Sequence, residues 1–327
     1  EQAQEEGELN LYDWAEWWPE EIYTDFEEEF GVKIVRDNFA SEPEVVAKFK
    51  LNPETSYDMI TGLAIRSAIQ IRELDVLQEL NHDWIPNAIN YIGKEFLELE
   101  YDPGAKYTIL SDYGIDSYWY NTKYVDDPRM PSWAVLFEPD EKYKGRITLV
   151  DDMFKSLAGV LSYLGYPVDS DDEGQLEEVR DIVMKLKPYV MSFDSWPKRL
   201  ALEEEAWILQ GTYGDGFIMN KESGGVVTAQ PPPEGSRLLT DVLMIPIGAR
   251  HPAVAHCWIN YLYRPRVTAL LCGTIGVQPC SQASLEFLPE DVRNWWAEVP
   301  EGYVEKCGVI GARAVTGKGK DLRAAIW

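Results

Sequence analysis

Apolar positions recur along the chain with two different periods, and the change from one to the other marks its elements. Leu9, Leu11 and Tyr12 follow the charged leader EQAQEEGE as a short apolar run and predict a strand. Pro19 stops it and suits the first turn of a helix, where the acidic Glu20, Glu21, Asp25 and Glu27 favour the N-terminal end. Ile22, Phe26 and Phe30 recur at helical spacing, and Gly31 ends the pattern. Residues 32–38 (VKIVRDN) alternate like a strand. The helix predicted over 41–49 opens on Ser41 with Glu44 three residues later, a capping-box spacing. The run YDMI over 57–60 predicts a short buried strand, and 64–74 a helix. Strand, helix, strand, helix with short connections predicts a parallel sheet covered by helices.

Residues 107–121 (YTILSDYGIDSYWYN) read as two strand-like runs interrupted by Ser111-Asp112 and Gly114, a segment suited to pass from one domain to another. A helical turn follows over 132–137, then a strand over 145–150 whose end, Asp151-Asp152, caps a helix over 153–164. Further helices are predicted over 174–186 and, acidic in character, over 199–210; GTYGDGFI at 211–218 reads as a turn-rich strand end. A strand after Pro231-Pro232-Pro233 is predicted to end at Asp241. Helices are predicted over 252–262, 266–271 and 289–296, and IGVQP at 275–279 turns the chain back. No internal repeat or low-complexity linker breaks the chain, which predicts domains joined by crossing strands.

Composition narrows the function classes. With 327 residues, 45% of them hydrophobic, the chain is long enough for two domains with their own cores. No apolar run approaches the roughly 20 residues of a membrane helix. Neither a basic region nor an apolar run opens the chain, so no signal peptide is read in it, and the acidic leader is expected to be poorly ordered. Asp and Glu number 56 against 30 Lys and Arg, a net charge of −26, which argues against nucleic acid as a partner. The four cysteines, Cys257, Cys272, Cys280 and Cys307, match no zinc or redox spacing; one disulfide is left open. His82, His251 and His256 are scattered, and no metal site or cofactor is expected.

The candidate chemistry is aromatic and acidic. Trp14, Trp17 and Trp18 crowd a strand-to-helix loop around Glu16, where open α/β sheets place ligands, although clustered tryptophans also belong to cores. Trp14, Glu16, Trp17, Asp152, Tyr213, Asp215 and Asp241 all fall at predicted strand ends or the turns after them. Aromatic faces attract cations and carboxylates accept charge-assisted bonds from ammonium groups, so together they make a box for an amine. Each has a plainer reading: Asp152 as a helix cap, Asp215 between glycines as a turn residue. Asp241 is harder to dismiss, because it interrupts the apolar run LLTDVLMIP, where an unpaired carboxylate is costly to bury. No GxSxG, HExxH, GxGxxG or P-loop appears, so no enzyme class is indicated, though a glycosidase-like carboxylate pair is not excluded by counting.

The segments LYDWAEWWPEE, EFGVKI, YDMIT, SWAVLFEPDEKYKGRITLVDD, PPPEGSRLLTDVLMIP and NYLYRPRVTALLCGTIGVQP occur in an order and spacing that resemble the periplasmic spermidine/putrescine-binding proteins of ABC importers. The likeness runs from the first strand to about Gln278. It implies an α/β, two-lobed periplasmic binding fold of the second type, with lobes at 1–114 with 241–290 and at 115–240 with 291–327. It implies no cofactor and no catalysis, but a monomeric extracytoplasmic or periplasmic receptor whose lobes close on a small amine by hinge motion and deliver it to an ABC permease. A lipid anchor is left open.

By the resemblance, Trp14 and Trp17 pack on the polyamine, Asp152 and Asp241 receive amino groups, and Tyr213 stands where the family stacks a Trp. Glu16 sits where some members face a terminal amine with an acid, and Asp215 lies near, though out of register with, another such aspartate. Thr61 and Gln278 complete the expected lining. Five positions depart from the family: Lys155 replaces an acid three residues after Asp152, Leu63 and Ile65 replace Ser and Tyr, Leu239 replaces a Trp, and Val277 replaces a Tyr. Together with Arg66, Lys155 suits an anion-holding half, which makes a zwitterionic amino-acid derivative or opine the alternative ligand.

Overall fold

The computed structural model describes residues 1–15 and 18–327, and the first apolar run forms its first strand. By contacts the chain divides into two units, Glu1–Tyr113 with Thr240–Glu290, and Gly114–Leu239 with Asp291–Trp327.

In the first unit β1 (Glu8–Trp14) runs parallel to both β2 (Lys33–Phe39) and β3 (Met59–Ala64). The intervening helices begin and end where the sequence signals them. Glu20–Phe30 is stopped by Gly31 at φ 65°, a left-handed conformation that only glycine adopts cheaply. Ser41 Oγ accepts from the Glu44 N–H at 3.4 Å while the Glu44 carboxylate reaches back to the Ala40 N–H at 3.1 Å, so two backbone donors at the start of Glu42–Leu51 are satisfied. Helix Glu20–Phe30 buries Phe26 edge-on against Trp258 of helix Pro252–Leu262, with ring centres 4.9 Å apart.

The leader is ordered, contrary to expectation. Gln2–Glu6 is a short helix, and the Glu6 carboxylate accepts from the N–H groups of Ala253 and Val254, at 3.2 and 2.9 Å. It thereby supplies a negative cap to a helix that has no side-chain cap of its own, and this fixes the leader.

The segment expected to be two runs is one unbroken strand, β4 (Thr108–Asn121), which crosses the unit boundary at Tyr113 and Gly114. Ser111-Asp112 does not interrupt it, because the Ser111 hydroxyl bonds the Asp112 carboxyl at 2.7 Å and the pair stays inside the strand.

In the second unit β5 (Ile147–Leu149) lies parallel to β6 (Val190–Phe193) and β7 (Ile208–Thr212), and β7 runs antiparallel to β4 from Asp116↔Thr212 to Tyr120↔Ile208. The predicted helix over 199–210 is therefore corrected: only Lys198–Leu202 is helical, and the rest feeds a strand. Helix propensity lost there to pairing, because Ile208 and Leu209 are fully buried between β4 and β5. The turn-rich end predicted at 211–218 is likewise a helix, Tyr213–Glu222, with Thr212 as its cap. The short β8 (Val227–Ala229) pairs antiparallel with β4. Between β5, β4 and the helices Met153–Tyr163 and Glu173–Leu186 sits an apolar core that includes Tyr118, Trp133, Leu149, Leu157 and Val179.

The chain returns through β9 (Leu238–Met244), antiparallel to β3 with Asp241 opposite Ala64 and Val242 opposite Leu63. Asp241 is thus in mid-strand rather than at its end. Finally β10 (Gln278–Pro279) pairs with β4 at Tyr113 and Asp112. The sheets are mixed rather than purely parallel. In each unit the earliest of three parallel strands lies between the other two, with an antiparallel crossing strand beside them: β2-β1-β3-β9 in one, β6-β5-β7-β4 in the other.

Candidate functional site

In the first unit the expected residues lie at the end of β1, within β3 and β9, and at the start of β10. Trp14, the last residue of β1, is half-buried; its Nε1 donates to the Gly62 carbonyl at 2.8 Å, and its ring meets Phe39 edge-on at 4.5 Å. A flat ring is thereby fixed in orientation, as preorganised stacking would require. Glu16 and Trp17 lie outside the described residues. Thr61 and Leu63 are fully buried in β3, and the Thr61 hydroxyl finds no hydrogen-bond partner among the described residues. Val277 and Gln278 are buried as well, at the start of β10. Arg66 is not left for an anion, since its guanidinium pairs with the buried Glu42 at 2.9 Å.

Asp241 is half-buried in β9. Behind it stands a carboxyl the sequence did not single out, Asp112, with no exposure at all. Ser111 Oγ donates to Asp112 Oδ2 at 2.7 Å and lies 3.3 Å from the Asp241 carbonyl, which brings the two aspartates side by side. Burial pushes Asp112 up to about 7, against the opposing hydrogen bonds of Ser111 and Asp241. The only sequence signal for it was a carboxylate inside an extended, apolar run.

The second unit carries a concave, polar site of its own, lined by Asp116, Lys155, Ser195, Gln210, Thr212 and Asp215 around Val150 and Gly211. Asp152 is the cap of helix Met153–Tyr163, which carries Lys155, its Oδ1 accepting from the N–H groups of Phe154 at 2.9 Å and Lys155 at 3.1 Å. Asp215 is in the first turn of helix Tyr213–Glu222, held by its N–H to Thr212 Oγ1 at 3.0 Å. Burial raises the Asp215 carboxyl above its usual range; the Thr212 bond and the Lys155 charge oppose this, and Asp116 adds to it. Asp116 itself is neutralised by Arg237, which grips it with two bonds of 2.7 Å, both partners buried. Gly211 is required where it stands, since a Cβ there would come within 2.6 Å of the Trp119 ring.

Tyr213 does not offer its ring to this site. It is fully buried, its hydroxyl donates to the Trp295 carbonyl at 2.9 Å, and its ring is stacked on Trp295 and edge-on to Trp296. Leu239 is half-buried in β9. An aromatic that the sequence reading passed over is Trp196, next to Ser195 and 44% exposed, with its ring edge-on to Trp119. The histidines and cysteines serve structure: His251 bonds Asp58 at 2.8 Å, His256 accepts from the Asn81 N–H at 2.9 Å, and all four thiols are free.

The chain matches the bacterial extracellular solute-binding protein family over residues 21–301. Its relatives include the spermidine/putrescine-binding periplasmic protein of Escherichia coli, 27% identical over 94% of this chain and 87% of that protein. The putrescine/cadaverine-binding protein of Pseudomonas aeruginosa is 26% identical over 92% and 87%. Among solved structures, the spermidine/putrescine ABC transporter substrate-binding protein of Streptococcus pneumoniae superposes with a TM-score of 0.85 at 27% identity, covering 98% of both chains. The expected α/β fold of the periplasmic binding proteins is therefore the fold found. With the matched family spanning most of the sequence and the same architecture recurring in a solved relative, the chain belongs to the bacterial extracellular solute-binding proteins.

Proposed function

We propose that this protein is the extracytoplasmic receptor of an ABC importer and that it captures a small amine or polyamine of the putrescine or spermidine kind. The observation that carries the reading is the Asp112–Asp241 carboxyl pair in the unit that also holds the fixed Trp14 ring. Acidic oxygens beside a flat ring favour a primary ammonium group, by charge-assisted hydrogen bonds and by the ring quadrupole. Asp152, Asp215 and Trp196 are the corresponding acids and aromatic of the second unit. Relatives named for spermidine, putrescine and cadaverine support the ligand class, and relatives named as periplasmic support the compartment. Among the described residues no helix is long and apolar enough to cross a membrane.

Lys155 favours a second reading. An ammonium group on the lining of the polar site, beside Asp215 and Ser195, suits the carboxylate of a zwitterionic amino-acid derivative. Both readings are of binding without chemistry. Mass spectrometry of the small molecule released by denaturing protein purified from its own host tests them together. A free diamine or triamine, chemically unaltered, is expected; a carboxylate-bearing compound supports the second reading, and a product of bond cleavage contradicts both.

A further inference from the structure

Asp13 precedes Trp14 at the end of β1, and its side chain has no exposure at all. Successive side chains of a strand point to opposite faces, so Asp13 and Trp14 lie back to back. The two faces continue into β2, where Asn38 stands opposite Asp13 and Phe39 opposite Trp14. On its own face Asp13 is gripped from two elements. The Tyr23 hydroxyl of helix Glu20–Phe30 donates to Oδ2 at 2.9 Å, and the Asn38 side-chain amide donates to Oδ1 at 2.7 Å. Both partners act as donors, an arrangement that suits the ionised carboxylate. Among the described residues, the other charged groups facing it are Glu20 of that helix and Arg36 of β2; β3, on the far side of β1, carries no titratable residue. Arg36 is engaged elsewhere, its guanidinium 4.2 Å from the Tyr23 ring centre and 2.8 Å from Glu20. Helix Pro252–Leu262 adds the neutral Trp258, stacked on Tyr23. Burial pushes the Asp13 carboxyl up to about 6, against the bonds of Tyr23 and Asn38 and the charge of Arg36, and it pushes the Tyr23 phenol far up. Because the folded value of Asp13 lies above the unfolded one, its ionised form lowers stability at neutral pH. An amide of the same shape would tie the same elements without that cost, since the Tyr23 hydroxyl can turn to accept.

We propose that Asp13 is a positioning residue for ligand binding, whose ionised carboxylate holds the end of β1 to Tyr23 and Asn38 and so sets the Trp14 ring on the opposite face. Its effect on affinity rests on the reading that Trp14 packs on an amine; its effect on the ring does not. One bond ties β1 to the helix and the other ties it to β2. Trp14 then reaches the Phe39 ring at 4.5 Å and the Gly62 carbonyl at 2.8 Å from a backbone fixed on its other side. Protonation turns one carboxylate oxygen into a donor, and the charged bonds give way to weaker neutral ones. A buried charge that lowers stability, one residue from a ligand-facing aromatic, is the exchange of stability for activity that binding sites make.

Two measurements test it, one of them without ligand. In NMR spectra of the indole N–H groups, the Trp14 resonance is identified by its loss in Trp14→Phe. It is expected to move with a midpoint at about pH 6, where Asp13 titrates, and to stay fixed in Asp13→Asn. Tyr23→Phe, which removes a bond to the ionised form, moves that midpoint upward. A Trp14 resonance indifferent to pH, or one that titrates unchanged in Asp13→Asn, overturns the proposal whatever the ligand proves to be. Calorimetry with putrescine at pH 8 is expected to find Asp13→Asn binding about three- to tenfold more weakly, the scale of a charged hydrogen bond exchanged for a neutral one. Its thermal midpoint at that pH should equal or exceed the native one, and at pH 5 the two affinities should converge. A lowered midpoint makes Asp13 a structural tie and overturns the positioning role, as does equal affinity at pH 8. If the native protein takes up no putrescine, the amine reading fails, and the Trp14 resonance still decides whether Asp13 positions the ring.

Discussion

A single residue carries the sharpest departure from an all-acid amine site. Lys155 lines the polar site of the second unit, where its charge acts on Asp215. An ammonium group there repels a dication and attracts a carboxylate. Lys155→Glu is therefore expected to tighten diamine binding by about three- to tenfold at low salt, with the gain shrinking as salt screens it, as titrations at two ionic strengths would record. Unchanged affinity would mean that Lys155 faces away from the ligand. Asp241 stands out in the sequence, because an unpaired carboxylate inside LLTDVLMIP is costly to bury. Asp112 does not, because Ser111-Asp112 looks like a break between two runs unless the pairing of β4 with β10 and its contact with Asp241 are known. Tyr213 failed in the opposite way: its position matched a stacking aromatic, but Trp295 and Trp296, some 80 residues away along the chain, enclose it.

At the scale of elements, local signals were the legible ones. The Ser41 cap and the Gly31 stop depend on interactions within a few residues, so sequence suffices. What depended on distant partners was misread. Residues 199–210 have helical composition, yet pairing with β4 and β5 draws their end into β7, and the leader is ordered only because Glu6 caps a helix far along the chain. Asp152 joins the two levels, since its Oδ1 caps helix Met153–Tyr163 and the proposed function also gives it an amino group to receive. Two substitutions separate these roles. Asp152→Ser keeps a capping oxygen and is expected to leave denaturant stability within about 0.5 kcal/mol while weakening amine binding. Asp152→Ala should weaken binding and also lower stability by about 1 kcal/mol. If Asp152→Ser binds amines as tightly as the native protein, the carboxylate is a cap and nothing more.

At the scale of the whole molecule, the net charge of −26 concerns solubility and the steering of cations, and it says little about which cation is chosen. In the proposed function, choice rests with a few oxygens whose charge the surrounding protein controls: Asp116 locked to Arg237, Asp215 tempered by Lys155, and Asp241 beside Asp112. Fold and family follow from features spread over most of the chain, which is why both could be read before any side chain was placed. Ligand choice follows from substitutions at a handful of positions, and those need geometry.

The central claim is that Asp241 grips a positively charged nitrogen. Calorimetric titration of the native protein and Asp241→Asn with putrescine, spermidine and a panel of amino acids tests it most directly. The account predicts saturable binding of a diamine or triamine that weakens tenfold or more in Asp241→Asn, the scale of one charged hydrogen bond, with the thermal midpoint preserved. Tight binding of a carboxylate-bearing ligand with no heat from any diamine or triamine, or an amine affinity indifferent to Asp241→Asn, would contradict it.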